Sequence, residues 1–194
     1  PPATELLTKR EEIQQVLYLP MVYAGEIQEF VAMNRNERGR AGYHVRDFIN
    51  GTDETTDWHE LHLPVDMVAP STVTNIQLLG KDLFHCATLR PQIEQAISTG
   101  QAIPVAPSQS ECLSSPAILK AVYRGRARPT NALQRKSKIQ GLLAVTLTTD
   151  GLLHEHKAHT HSSISSGRIV LTDSSLTLAK QRYNQGAEHT FPVK

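Results

Sequence analysis

Thr8-Lys9-Arg10-Glu11-Glu12-Ile13-Gln14-Gln15-Val16-Leu17-Tyr18-Leu19-Pro20 is the stretch on which the architecture turns. Thr8 followed by Glu11 has the spacing of a capping box. Leu6, Ile13, Val16 and Leu17 fall on one stripe at helical spacing, and Pro20 stops a helix. The stretch is therefore predicted to be a helix. Working outward, a second helix fits Glu26 to Met33, with Ile27, Phe30 and Val31 on one side. Asn34 to Gly42 reads as a polar loop, and Val45 to Ile49 as a short helical turn stopped by Asn50-Gly51. Trp58 to Val65 alternates, so a short strand is expected there. Leu78 to Cys86 and Arg90 to Ile97 are helical in pattern, with Pro91 in a first turn and Gly100 as a stop.

The last third changes character. Ile118 to Tyr123 reads as a strand, Asn131 to Lys138 as a polar, basic helix or loop, and Leu142 to Thr148 as a β-branched, apolar strand closed by Asp150-Gly151. Ser162 to Gly167 is a serine-rich loop, Arg168 to Thr172 a strand, and Ser174 to Tyr183 a helix. The expected class is α+β: a helical N-terminal half packed on a small, mostly antiparallel or mixed sheet in the C-terminal third. Residues 1–100 form the helical region, 101–117 a Pro- and Ser-rich linker, and 118–194 the strand-rich region, or all belong to one domain.

Composition bounds the function. A chain of 194 residues with 39% hydrophobic and 20% charged residues can bury a core and is not of the disordered class. A net charge of +1 argues against a nucleic-acid or anionic-membrane surface. The longest apolar runs, such as Gly141 to Val145, are too short to span a bilayer. Two cysteines, Cys86 and Cys112, allow one bridge but do not make a disulfide scaffold. The expectation is a soluble protein of a reducing compartment, cytosolic or delivered into a target cell's cytosol. A protein target is the expected partner; the oligomeric state is left open.

Val122-Tyr123-Arg124-Gly125 places an arginine at the end of an apolar strand, beside a glycine. Its planar fork suits a phosphate or carboxylate in a cleft, and the plainer reading is a solvated strand end. Arg128-Pro129 follows, then Leu153-His154-Glu155-His156, then Ile169-Val170-Leu171-Thr172-Asp173-Ser174-Ser175. In that order these segments resemble the core of cholera- and pertussis-type ADP-ribosyltransferases, over roughly Leu119 to Gly186. The resemblance implies an effector or toxin domain that binds NAD and modifies a protein. In it Arg124 holds the NAD phosphate or ribose, His156 orients NAD, and Thr172 sits on the strand bracing the nicotinamide pocket. The chain departs from the pattern where Leu171 and Asp173 replace serines. Downstream only Glu188 follows, near the end of the sequence, so either the sequence is truncated or the acid that stabilises an oxocarbenium-like ribose comes from elsewhere, with Glu60 and Glu111 as candidates.

A second constellation is Cys112, after the Pro-rich stretch. A helix N-terminus would favour its thiolate, and His161 with Gln181, or His156 with Asp173, supplies the order of a papain-like hydrolase or deamidase. The plainer reading is a small buried residue. His154, His156, His159 and His161 offer alternating metal ligands, against a merely histidine-rich loop. Trp58-His59-Glu60-Leu61-His62 reads as a partly exposed strand. Arg35, Arg38, Arg40 and Arg46, with Glu37 and Asp47 between them, read as a solvated face. The third functional reading is a non-catalytic interaction module on a degenerate enzyme fold.

Overall fold

In a computed structural model the chain is described at residues 10, 12–47, 60–107, 112–125, 128–148, 172–173 and 176–177. Its centre is a five-stranded antiparallel sheet. The strands are β1 (Ile13–Pro20), β5 (Met67–Ala69), β7 (Ala102–Val105), β8 (Ala117–Tyr123) and β9 (Ile139–Leu147), in the order β5-β1-β9-β8-β7. Short pairs flank it: β2 (Val22–Tyr23) with β4 (Leu61–His62), and β3 (Arg46–Asp47) in parallel with β6 (Lys81–Asp82). The helices are α1 (Ile27–Asn36), the one-turn α2 (Val73–Ile76), α3 (Arg90–Thr99) and α4 (Ala132–Lys138). A further pair, β10 (Thr172–Asp173) with β11 (Leu176–Thr177), closes the described part.

The expected helical N-terminal half is thus overturned. Ile13 to Pro20 is an inner strand, paired with β5 on one side and with seven residues of β9 on the other. The apolar set there satisfies two periods at once. Leu17 and Leu19 are buried and Tyr18 between them is not, so the period of two prevailed. Its partners are remote in sequence, which is why local spacing misleads. Thr8 and Glu11, which carried the capping pattern, lie outside the described residues.

Other elements follow the sequence more closely. α1 and α3 fall where helices are expected, Pro91 lies in the first turn of α3, and Gly100 ends it at φ 67°. β8, β9 and α4 match their segments, and the Asn131 side chain caps α4 by accepting from the Gln134 N–H at 2.9 Å. Leu78 to Cys86 is not a helix but a turn followed by β6. Gly80 there has φ 82°, and a Cβ on it would lie 2.0 Å from the His44 carbonyl oxygen, so no helical residue fits. Val45 to Ile49 contains β3 in place of a helical turn. The expected linker contains β7, and the expected C-terminal helix contains β11 at Leu176–Thr177.

One sheet face carries the core. Leu17, Leu19, Ala117, Leu119, Ala121, Leu142 and Ala144 point to it and meet Ile93, Ala96 and Ile97 of α3. Leu63, Val65, Leu83 and Leu89 of the segment between β4 and α3 complete it. A smaller cluster, Val22, Ile27, Tyr43 and Val45 with Phe30 and Val31, seats α1 against β2. Among the described residues no helix is long and apolar enough to cross a membrane.

Candidate ligand-binding cleft

The alternation that buries Leu17 and Leu19 turns Tyr18 and Pro20 to the other face of β1. There, with Gln140 of β9 and one side of α1, they line a cleft of about 760 Å³. Beside Gln140, a Cβ at Gly141 would lie 2.3 Å from the Leu19 carbonyl oxygen, so β9 approaches β1 this closely only through glycine. Glu26, Glu29, Phe30 and Met33 form the helical wall, and Arg38, Asp66 and Arg124 add charged groups within electrostatic reach of Tyr18.

The charged groups are organised around Asp66, which is 2% exposed. Its backbone N–H donates to the Tyr18 carbonyl at 2.9 Å, fixing the loop to β1. Arg38 donates to its carboxylate. Arg40 donates to the Asp66 carbonyl at 2.7 Å, to its carboxylate at 3.3 Å, and to the Asn34 side-chain oxygen at 2.7 Å. Asn34, itself fully buried, donates to the Phe30 carbonyl at 3.1 Å and so ties this network to α1. Burial, with Asp66 nearby, pushes the Tyr18 phenol above its ordinary range. The same two causes raise Tyr43, whose hydroxyl donates to the Val65 carbonyl at 3.3 Å. Both phenols therefore stay neutral hydrogen-bonding groups at any physiological pH.

Asp66 is neutralised by two arginines. Glu29 and Arg124 are both exposed and both line the cleft. The cleft thus offers an anion-binding guanidinium, a carboxylate, a phenol and an apolar strip from Phe30 and Met33.

The residues singled out in the sequence fare differently. Arg124 does lie at the end of β8, exposed and lining a cleft, and its backbone N–H donates to the Lys138 carbonyl at 2.7 Å. Cys112 is joined to Cys86 in a disulfide, so its sulfur is not a thiol here, and it is 4% exposed. Thr172 begins β10; only its backbone pairing with Thr177 is described. His156 lies outside the described residues, as do His154, His159, His161, Glu111 and Glu188. Glu60 is exposed just before β4. The arginine cluster is not merely a solvated face: Arg35 donates to the Tyr43 carbonyl at 2.7 Å, Arg46 to the Gln77 carbonyl at 2.6 Å, and Arg38 and Arg40 converge on Asp66. Asp66 was not legible as a site residue, because its partners are 26 and 28 positions away and no local motif links them.

The sequence matches the CHASE domain family over residues 3–188. The chain belongs to the CHASE domain family. No curated protein matches it. A CHASE domain is not an ADP-ribosyltransferase, and the match runs through the first hundred residues as well as the segments that suggested a transferase. The transferase, effector and toxin readings are corrected accordingly, and the expectation of NAD loses the resemblance on which it rested. The cysteine hydrolase reading goes with them, since the family is a sensory one and the sulfur it needs is bridged in this CHASE domain.

Proposed function

We propose that this chain is the ligand-binding module of a sensor, and that the cleft between β1 and α1 receives the ligand. The family match over residues 3–188 carries the reading, because CHASE domains serve sensing and not catalysis. The cleft supports it in kind: part apolar, with a few polar and charged groups in its lining. The charges favour a small solute with an anionic group for Arg124 and a cationic or donor-rich group for Glu29, as in a free amino acid. The Cys86–Cys112 bridge favours an oxidising, extracytoplasmic setting over the reducing one expected from composition. The expected protein partner is, on this reading, whatever receives the signal.

The test is a thermal-shift screen of the purified chain against free amino acids and small carboxylates. A ligand at about a hundred times its dissociation constant adds roughly 2.7 kcal/mol, a readable rise in Tm. The expected result is a rise with at least one member of the panel that is lost in Arg124→Ala. A rise that survives in Arg124→Ala would move the site elsewhere.

A further inference from the structure

His62 ends β4, Asp82 ends β6, and His85 lies one turn further on, so two remote segments bring two imidazoles to one carboxylate. The His62 Nδ1 is 2.7 Å and the His85 Nδ1 3.0 Å from the same Asp82 oxygen, Oδ2. The rings stand 5.4 Å apart, tilted by 58°. One ligand atom from each of the three residues lies within 4.8 Å of the others. We infer that His62, Asp82 and His85 form a binding site for a zinc-class divalent ion, independent of the cleft.

The donor set is that of zinc: two imidazole nitrogens and a carboxylate oxygen. Two ligands each about 2 Å from an ion at the tetrahedral angle are roughly 3.3 Å apart. The two histidine–carboxylate separations, 2.7 and 3.0 Å, would open by roughly 0.3–0.6 Å, and the two imidazole nitrogens, now within 4.8 Å of each other, would close to about the same spacing. Asp82 is already oriented for the task. Its other oxygen, Oδ1, accepts the Leu63 N–H at 2.9 Å and the Phe84 N–H at 3.0 Å, which aims Oδ2 at the histidines. Backbone orientation of a ligating carboxylate is the outer-shell support that metal sites use. The His62 and Asp82 side chains are 1% and 0% exposed, while His85 at 11% marks the side from which an ion enters. On entry the ion would take the place of any proton between each Nδ1 and Asp82 Oδ2, with each imidazole binding it as the neutral ring through Nδ1 and carrying its one proton on Nε2. Water or a further side chain fills the remaining coordination. His85 adjoins Cys86, so the ion would pin the turn before α3 to β4 while the disulfide pins it to the segment before β8.

The test is calorimetric titration of the chelator-stripped chain with zinc chloride. It is run in a background in which His154, His156, His159 and His161 are alanine, so that the histidine-rich segment contributes nothing. One equivalent of zinc is expected to bind, and His85→Ala to weaken it by at least about tenfold. Should His85→Ala fail to fold, the imidazole nitrogen resonances of His62 and His85 in the folded background are read with and without zinc, and both are expected to move. No binding in that background, binding unchanged by His85→Ala, or unmoved imidazoles would overturn the proposal and leave a hydrogen-bonded clasp.

Discussion

Replacing Arg40 with alanine removes its donors from the Asp66 carbonyl and carboxylate and from Asn34, all of them buried acceptors. Arg38 remains on the carboxylate, so the charge keeps one partner. The expected cost in urea denaturation is about 1–3 kcal/mol. Arg124→Ala, at an exposed side chain, is expected to change stability by less than about 0.5 kcal/mol. The contrast separates the residue that builds the cleft from the one offered to a ligand. Asp82 gives a second prediction at this scale. Burial alone would raise its pKa, but hydrogen bonds from His62, His85 and the Leu63 backbone outweigh it and hold the carboxyl at about 2, against an ordinary 3.8. A depressed carboxylate stabilises the fold fully above its unfolded value and loses that contribution as pH falls towards the folded one. Acid titration monitored by circular dichroism should therefore show about 2 kcal/mol lost between roughly pH 4 and pH 2. In Asp82→Asn that portion of the pH dependence should vanish.

At the scale of elements, the close contact of β1 with β9 depends on Gly141. Gly141→Ala is expected to destabilise by about 2–4 kcal/mol, because backbone and not a pliable side chain blocks the new methyl. The Cys86–Cys112 bridge spans 26 positions and ties the start of α3 to the segment before β8. Reduction should lower stability by about 2–4 kcal/mol, read as a drop in the denaturation midpoint on adding a thiol. The elements also show what local sequence carries and what it does not. α3, with Pro91 and Gly100 at its ends, and β8 and β9, with their apolar runs, were legible because caps and alternation are local. β1 was not, because Val16 and Leu17 side by side satisfy a helix as well as a strand until β5 and β9 are present. Leu78 to Cys86 failed for a related reason: Gly80 looks tolerable in a helix until the carbonyl of His44 packs against it.

For the whole molecule, the overturned helical half and the overturned function share a cause. The transferase resemblance was assembled from short segments of the C-terminal third, whereas the sheet draws β1, β5 and β7 from the first 105 residues and joins them to β8 and β9. A fold closed by such remote pairing gives few local signatures. Of the residues lining the cleft, Arg124 alone was marked in the sequence as one that could reach into a cleft, through its place at a strand end beside Gly125. Tyr18, Asp66 and the α1 wall become neighbours only once β1 is a strand. The most direct test of the cleft as the sensory site is the amide spectrum of the isotope-labelled chain titrated with the amino acid or carboxylate that raises Tm. Resonances of Tyr18, Phe30, Arg38, Asp66 and Arg124 are predicted to move together, with the far side of α3 unchanged. Movement centred anywhere else, or none with any member of the panel, would contradict the assignment of the cleft.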